Sequence, residues 1–594
     1  MKKIITRKLL FSWLCFFLVQ ASMAQTNLIM VNPVAQNILK GSYTPGTYNP
    51  VGITTIPDSV VANFAKEMNA DSIKAYWLRL GTFYNRSTGN QLNSTTQGIT
   101  AAVNWVSSKF LEFSGAVNNR LIVSDFSFTQ TICSATSHKE PVAIIPGNSL
   151  ADKSILVLTS HLDSRNNNSC AASAQKAMGM EDNATGVAVF IEMARVMSKY
   201  SFKKNIIFLI TIGEEQGLYG AGAFVNYLAA NSIAVKANLN SDQLGSIYCN
   251  LPVNSPGCTT NNAIDTTSVR VFSNGDINSP AKSWARYVKL AYKDKVLPTA
   301  SVPMKITLMA PIDRYGRGGD HIPFDNSGIA ALRLMCANES GDGSGAANTR
   351  VHTVYDEGGK DLNSDGTIDS FYVDFNYMKR NGIINGAAIT MAANAPATPT
   401  YTVTNIGHNK IRVQFQSPTN SPKYRVGFRS TAIDFDTVYT TAQVVDTFSR
   451  PPSSNGYYYV GAATMDGSSV TSFFGGEKTI KSNRTSARGG SVVEEEEENA
   501  VDTEKPYQLL QNYPNPFDED TWITVVANKK IYNQRAIINI YDNKGLLLKS
   551  LSLVLNPGNN QVLYHRTSLN YGVLFYSLII DGKKIDSKAM VYAN

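Results

Sequence analysis

The chain has 594 residues, 43% of them hydrophobic, and a formal net charge of +8. That length exceeds what one core organises, so three or four domains are expected. The basic residues are scattered and nowhere interleaved with aromatics, which argues against a nucleic-acid partner in spite of the positive charge.

The first element is a leader. Lys2, Lys3, Arg7 and Lys8 precede the apolar run "LLFSWLCFFLV", and the small residues Ser22 and Ala24 place a cleavage site before Gln25. The run is too short for a permanent anchor, and no later stretch approaches the ~20 apolar residues of a spanning helix. Residues 1–24 are therefore expected to be a signal peptide, and the mature protein exported and soluble, with no transmembrane segment. Five cysteines remain after cleavage, Cys133, Cys170, Cys249, Cys258 and Cys336. The short loop "CNLPVNSPGC" predicts a disulfide between Cys249 and Cys258, and the odd number leaves at least one thiol unpaired.

From Pro57 to about Ala395 helical and strand patterns alternate. The stretch "SVVANFAKEMNADSIKAYWLRLGTFYN" reads as helix, and "SILVLTS", "NIIFLITIG" and "VKANLNSD" as buried strands. In "ATGVAVFIEMARVMSKY", Val187, Phe190, Ile191, Ala194 and Met197 share one helical face, and Asp182 and Asn183 lie just before its start. The fold class expected is α/β, a mixed and mostly parallel sheet with helices on both faces, spanning residues 25–395. Whether the extension to about residue 55 is a pro-region is left open. Chemistry should collect at the strand ends, where open α/β sheets bind ligands.

After "NAPATPTY" the texture changes to short alternating strands such as "KIRVQFQS" and "GYYYVGAATMDG", which predict a small β-sandwich over 396–482, similar to a fibronectin type III module in its spacing. Residues 483–505 include five consecutive glutamates, Glu494 to Glu498, and little that packs, so they read as a solvated linker. Residues 506–594 return to alternation and turns, a second small all-β domain. Its "LLQNYPNPF", "YDNKG" and "YGVLFYSL" resemble the C-terminal sorting domain of type IX secretion in Bacteroidetes. That resemblance implies an export address, recognised by the type IX machinery and removed at the acidic linker, and a secreted or outer-surface location.

One feature of the α/β region needs explaining. "FLITIGEEQGLYGAGAF" sets Glu214 and Glu215 side by side at the end of an apolar strand, and burying carboxylates is costly unless something neutralises them. Other strand ends supply matching groups. "LVLTSHLDS" offers His161 with Asp163, whose carboxylate can orient the ring as a partner of a metal-bound imidazole. "GMEDNATG" offers Asp182, which alone reads as a helix cap. "NLNSDQLGS" offers Asp242, and "RVHTVYDEGGKD" offers His352 with Asp356 four residues on. Two histidines and several carboxylates at the ends of one sheet form a mixed nitrogen and oxygen set suited to zinc. A carboxylate between two ions, with two imidazoles and two further carboxylates, suits a paired-metal hydrolase.

The order "SHLDS", "EDNATG", "GEEQGLYGA", "NSDQLG", "GGDHIPF" and "HTVYD" resembles family 28 of the metallopeptidases, the di-zinc aminopeptidases and glutamate carboxypeptidases, over about residues 55–395. The resemblance implies two zinc ions acting on peptide or protein substrates. His161 and Asp242 would hold one, Glu215 and His352 the other, with Asp182 bridging and Glu214 left as general base. It further points to His321, in the "DHIPF" motif, and to Tyr315 as catalytic donors for the oxyanion, with Tyr355 competing for the role. Arg314 or Arg317 could instead clamp a substrate carboxylate, which keeps a carboxypeptidase open beside an aminopeptidase. A glutaminyl cyclase or a non-catalytic binding protein on the same scaffold would be expected to lack part of the ligand set, which is complete here. Finally, Asp361, Asn363 and Asp365 in "DLNSDGTID" copy the start of a calcium loop, but Tyr372 stands where its bidentate acid belongs, which favours an Asp/Gly turn over a partial Ca2+ site.

Overall fold

In a computed structural model the described residues are 25–592 except 93, 250–262, 276–277, 315–316, 339–349, 366–367, 408, 431–432, 450–456, 482–505, 513–519, 529–530, 532–533, 543–544 and 566–571. The leader, Cys258, Tyr315 and the acidic linker lie outside them. Two compact units divide the chain after Arg484.

A nine-stranded mixed sheet organises the first unit. Its strands are β1 (Thr26–Met30), β2 (Ile122–Ile132), β3 (Ala135–Ile145), β4 (Ile155–His161), β5 (Asn205–Thr211), β6 (Val235–Ser241), β7 (Ser268–Ser273), β8 (Lys305–Leu308) and β9 (Ala331–Cys336). They are ordered β1-β2-β3-β5-β4-β6-β9-β7-β8. The centre, β5-β4-β6-β9, is parallel, and β1, β2 and β3 form an antiparallel edge. Both β4 and β5 are buried at every position, which is why they read as unbroken apolar runs instead of alternating ones. The chain goes from β4 to β5 on one side and returns to β6 on the other, so the strand order reverses beside β4, the place where such sheets open a crevice.

The helices are α1 (Pro33–Leu39), α2 (Pro57–Glu67), α3 (Ala70–Gly81), α4 (Gly98–Ala116), α5 (Ala184–Met197), α6 (Tyr219–Ala230), α7 (Pro280–Lys295), α8 (His321–Asn326) and α9 (Phe375–Asn394). Helices α2, α3, α5, α7 and α9 pack among themselves, while α6 packs with α8 and β1. The single helix expected across α2 and α3 is two, because Asn69 adopts an extended backbone and its side chain caps the N–H groups of Asp71 and Ser72 at 2.7 and 3.1 Å. The N-terminal extension is part of the fold. Strand β1 pairs with β2, Ile38 and Leu39 are in the core, and the Gln25 amide donates to the Tyr219 carbonyl at 2.8 Å.

A disulfide joins Cys133, at the β2–β3 turn, to Cys170 in the long loop after β4. Cys249 is disulfide-bonded as well, and Cys336 is buried, its thiol donating to the Asn338 carbonyl at 2.6 Å. Between β9 and α9 a short ladder pairs β10 (Gly359–Lys360) with β11 (Ser370–Phe371).

Seven further strands of the first unit make two antiparallel sheets. One is β12 (Thr400–Gly407), β13 (Lys410–Ser417) and β16 (Val445–Ser449). The other is β15 (Thr437–Thr441), β14 (Lys423–Arg429), β17 (Tyr457–Met465) and β18 (Lys478–Lys481). Ile411, Val413, Phe415, Tyr424, Val426 and Val460 fill the space between them. This layer is fused to α7. Phe473 stacks on Tyr287 with ring centroids 5.0 Å apart and on Trp284 at 5.4 Å. The Tyr287 hydroxyl donates to the Thr471 carbonyl at 2.9 Å. Glu477 accepts two bonds from Arg429, at 2.6 and 2.9 Å, and pairs with Arg286 at 3.2 Å. All three of these charged side chains are buried, so their mutual neutralisation is what lets them stay there.

The second unit also holds two antiparallel sheets, β19 (Tyr507–Leu509), β20 (Asp520–Ala527) and β23 (Gly558–His565), and β22 (Leu547–Leu555), β21 (Gln534–Tyr541), β24 (Gly572–Ile580) and β25 (Lys583–Tyr592). Ile523, Ile538, Ile540, Tyr576, Leu578 and Met590 form its own core. Among the described residues no helix is long and apolar enough to cross a membrane.

The stack on α7 carries a stability expectation. Phe473→Ala should lower the unfolding free energy by about 3 kcal/mol in urea titration, and it should shift the transition of the α/β sheet itself, because the lost ring lies against its helix.

Candidate metal centre

Five side chains converge at the carboxyl ends of the central strands. His161 is the last residue of β4, Glu215 follows β5, and Asp242 follows β6. Asp182 precedes α5, and His352 comes from the connection between β9 and α9. The groups form two triads with one member in common: His161, Asp182 and Asp242, and Asp182, Glu215 and His352, the ligand atoms of each lying within 4.8 Å of one another. His161 Nε2 is 3.1 Å from Asp182 Oδ1 and 3.5 Å from Asp242 Oδ1. His352 Nε2 is 3.0 Å from Asp182 Oδ2 and 3.3 Å from Glu215 Oε2. Each Asp182 oxygen thus serves one triad.

Local structure puts Asp182 there. Asn183, and not Asp182, caps α5, its side chain accepting from the Gly186 N–H at 3.0 Å. A Cβ on Gly186 would lie 2.5 Å from the Ser241 carbonyl and 2.6 Å from Ser160 Oγ, so only glycine lets the helix start so close to β4 and β6. Asp356 was the expected partner of the His352 ring. Its carboxylate instead accepts from the backbone N–H groups of Glu181 and Asp182, at 2.8 and 3.1 Å. It therefore positions the shared carboxylate. Burial holds Asp356 up at about 7 and Glu181 up at about 8.

Asp163 does two things. Its carbonyl lies 3.0 Å from His161 Nδ1 and its carboxylate 3.6 Å from the same atom. That carboxylate also accepts the backbone N–H groups of Glu214 and Glu215, at 3.3 and 3.2 Å, so one buried acid orients a ring and both glutamates. Glu215 turns toward His352, while Glu214 lines a cleft of about 260 Å³ with Arg165, Leu218, Arg314, Arg317 and His352. Burial drives Glu214 well above the ordinary carboxylate range; the His161 ring opposes this and is outweighed once Asp242, Asp320 and Asp182 are added.

The donor set fits metal ions. Among the described residues, His161 Nε2, Asp242 Oδ1 and Glu215 Oε1 are buried and have no hydrogen-bond partner. Three carboxylates and two imidazoles buried together suit divalent cations held by mixed nitrogen and oxygen donors, and divalent charge removes the cost of crowding the acids.

Arg333 is a member of this site that the sequence reading did not single out. Its guanidinium lies 3.0 Å from Asp242 Oδ2 and 3.0 Å from Asp313 Oδ2, and donates to the Gly318 carbonyl at 2.7 Å. It ties down one Asp242 oxygen and leaves the other facing the metal position. Despite burial, the Arg333, Arg314 and His321 charges hold Asp313 down at about 2. Arg86, also unforeseen, is fully buried and spends its donors on the carbonyls of Leu162, Leu80, Met178 and Gly179, bracing the loops that carry His161 and Asp182.

The proposed oxyanion donors fare differently. His321 is fully buried outside the cleft lining, with Nε2 2.9 Å from the Ile312 carbonyl, so the structure does not bring it to the reacting groups. Tyr315 lies outside the described residues, and Tyr355 is 67% exposed. Around Asp361, Asn363 and Asp365 the side chains close the turn on itself, with Asp361 Oδ1 accepting from the Ser364 N–H at 2.7 Å and Asn363 Oδ1 from the Asp365 N–H at 3.0 Å. These residues belong to neither metal-holding group found among the described residues.

Comparison with known proteins places the site in context. A protein of Leptosphaeria maculans described as "Probable zinc metalloprotease" is 29% identical over 392 residues, covering 63% of this chain and 87% of its own. One from Pyrenophora teres with the same description is 29% identical over 436 residues, 68% of this chain and 86% of the relative. Among solved structures, the LapA aminopeptidase of Legionella pneumophila is similar at 21% identity with a TM-score of 0.38, over 56% of this chain and 75% of that one. The profile of peptidase family M28 matches residues 142–370. The stretch that carries both triads and Glu214 is therefore matched to peptidase family M28, and its relatives are described as zinc metalloproteases.

Proposed function

We propose that the protein is an exported exopeptidase that hydrolyses terminal peptide bonds with two zinc ions, most simply as an aminopeptidase. The observation that carries this reading is the pair of triads sharing Asp182, with Glu214 beside them on the cleft wall. His161 and Asp242 would hold one ion, Glu215 and His352 the other, and Asp182 both. Zinc, when bound, supplies Lewis acidity that activates water and polarises a carbonyl. Glu214 would then take the proton of the attacking water and return it to the leaving amine, the general base and general acid role of a positioned carboxylate. Its backbone is held by Asp163 through the same carboxylate that holds Glu215, so base and ligand keep a constant offset. Tyr315 and Tyr355 stay as the competing candidates for a donor to the oxyanion.

A carboxypeptidase is the second reading, and Arg165, Arg314 and Arg317 on the cleft wall favour it, since a guanidinium binds a terminal carboxylate as a fork. We further propose that the layer at 396–482 is a fibronectin type III-like module and that the second unit is a type IX sorting domain directing the enzyme to the outer surface or beyond. These two rest on the sequence patterns.

The mature chain should release free amino acids from peptides blocked at the C-terminus and none from peptides blocked at the N-terminus; the reverse pattern selects the carboxypeptidase. Glu214→Gln should lower kcat by a factor on the order of 10²–10⁴ while zinc content stays unchanged, and an unaltered kcat would remove Glu214 from the mechanism. Metal analysis should show Asp182→Asn losing both ions, Asp242→Asn losing the His161 ion alone and Glu215→Gln the His352 ion alone.

A further inference from the structure

A second cavity, of about 360 Å³, opens between the α/β body and the β-layer that begins at Thr400. That is the size of a small-molecule site. Lys236, which lines it, is the second residue of β6 and so lies at the opposite end of that strand from Asp242. Among the described residues, none is common to this lining and to that of the cleft at the metal centre.

Charge in this cavity is unbalanced. Arg286 and Glu477 sit on its wall as a pair, 3.2 Å apart, and Glu477 is held by Arg429 as well. Lys236 has no such partner among the described residues. The acid whose charge reaches it is Asp152, and that carboxylate is already paired with Lys204 at 3.2 Å. The Lys236 ammonium lies 4.6 Å from the centroid of the Phe473 ring, a contact that stabilises a cation in part but accepts from none of its three N–H donors. Burial accordingly draws Lys236 below the ordinary lysine range, and Asp152 only partly opposes this. An anion beside the ammonium would offset that desolvation. The amino end of α7, through Ser279, adds partial positive charge to the same wall.

The rest of the lining suits an apolar body with a flat face. Phe435, Phe473 and Phe474 all border the cavity, and the rings of Phe435 and Phe474 lie 4.8 Å apart. Phe473 is fixed from behind by its stack on Tyr287 and Trp284, so an aromatic wall stands ready without rearrangement. We propose that this cavity binds a small aromatic carboxylate, its carboxylate on Lys236 and its ring among Phe435, Phe473 and Phe474. Charge selects the class. A neutral aromatic leaves Lys236 as it is, a cation adds to the imbalance, and a dianion exceeds the one uncompensated charge. Neither the metal ions nor the peptidase reading is needed for this site.

The test is calorimetric titration of the full mature chain with phenylacetate and with its neutral analogue 2-phenylethanol, for wild type and for Lys236→Met, which keeps an unbranched apolar stem. Wild type should bind phenylacetate about tenfold or more tightly than the alcohol, the scale of a hydrogen bond to a charged group. In Lys236→Met that preference should disappear while the alcohol binds as before. No binding of phenylacetate to wild type overturns the proposal. So does a preference for the carboxylate that survives in Lys236→Met, because the anion would then sit elsewhere, as at the arginines of the metal-centre cleft. Should the variant fail to fold, acetylation of wild type by acetic anhydride, read by peptide mass spectrometry, decides. Phenylacetate should slow modification of Lys236 several-fold and leave the exposed Lys139 unaffected; equal rates at Lys236 with and without phenylacetate overturn the proposal.

Discussion

Crowded, buried negative charge is the constraint that shapes this protein. Asp163, Asp182, Glu215 and Asp242 are all sequestered at the ends of parallel strands, and buried like charges cannot all stay ionised without compensation. Each acid is answered in a distinct way. Asp163 is satisfied by backbone N–H groups, Asp242 by Arg333 on one oxygen, and Asp182 by two imidazoles and the Gln243 amide, 2.8 Å away. What is left over, a set of lone pairs without donors, is the metal-facing part. The supporting groups therefore define the centre as much as the ligands do.

The sequence displays the ligands more readily than their supports, for a physical reason. Strand ends and helix starts are local features, so His161, Asp182, Glu215 and Asp242 could each be placed from a few neighbouring residues. The supports act across long stretches of chain. Asp356 is four residues from His352 and 174 residues from Asp182, yet it serves Asp182; proximity in sequence pointed the wrong way. Arg333 did leave a signal, a charge inside the apolar run "ALRLMC", since an arginine buried in a central strand requires an acid at its tip. Asn69 is a similar case, a cap residue inside a stretch of helical periodicity, where the local bond outweighed the pattern. The disulfide from Cys133 to Cys170 had no sequence signature, because the pairing depends on how β2 and β3 curl over the loop after β4.

The seven-stranded layer after Ala395 shows how a compositional boundary can fall inside a physical unit. The change from helical to alternating texture is real, yet Arg429, Glu477 and Arg286 form one buried charge network across it, and Phe473 lies between Trp284 and the layer. Buried charges held by partners on both sides give the boundary a fixed geometry. The second unit has a core of its own.

The extension at the front of the chain has a consequence for the order of events in folding. Asn27 bonds to Thr129, 102 residues away, and Gln25 to Asn226, 201 residues away, so the first strand of the sheet is completed by some of its latest contacts. Closing such long loops is slow relative to local structure. His161 and His352 are likewise separated by most of the α/β unit. A partly folded chain can therefore possess every central strand and still lack the second triad, which forms only when His352 reaches Asp182 and Glu215.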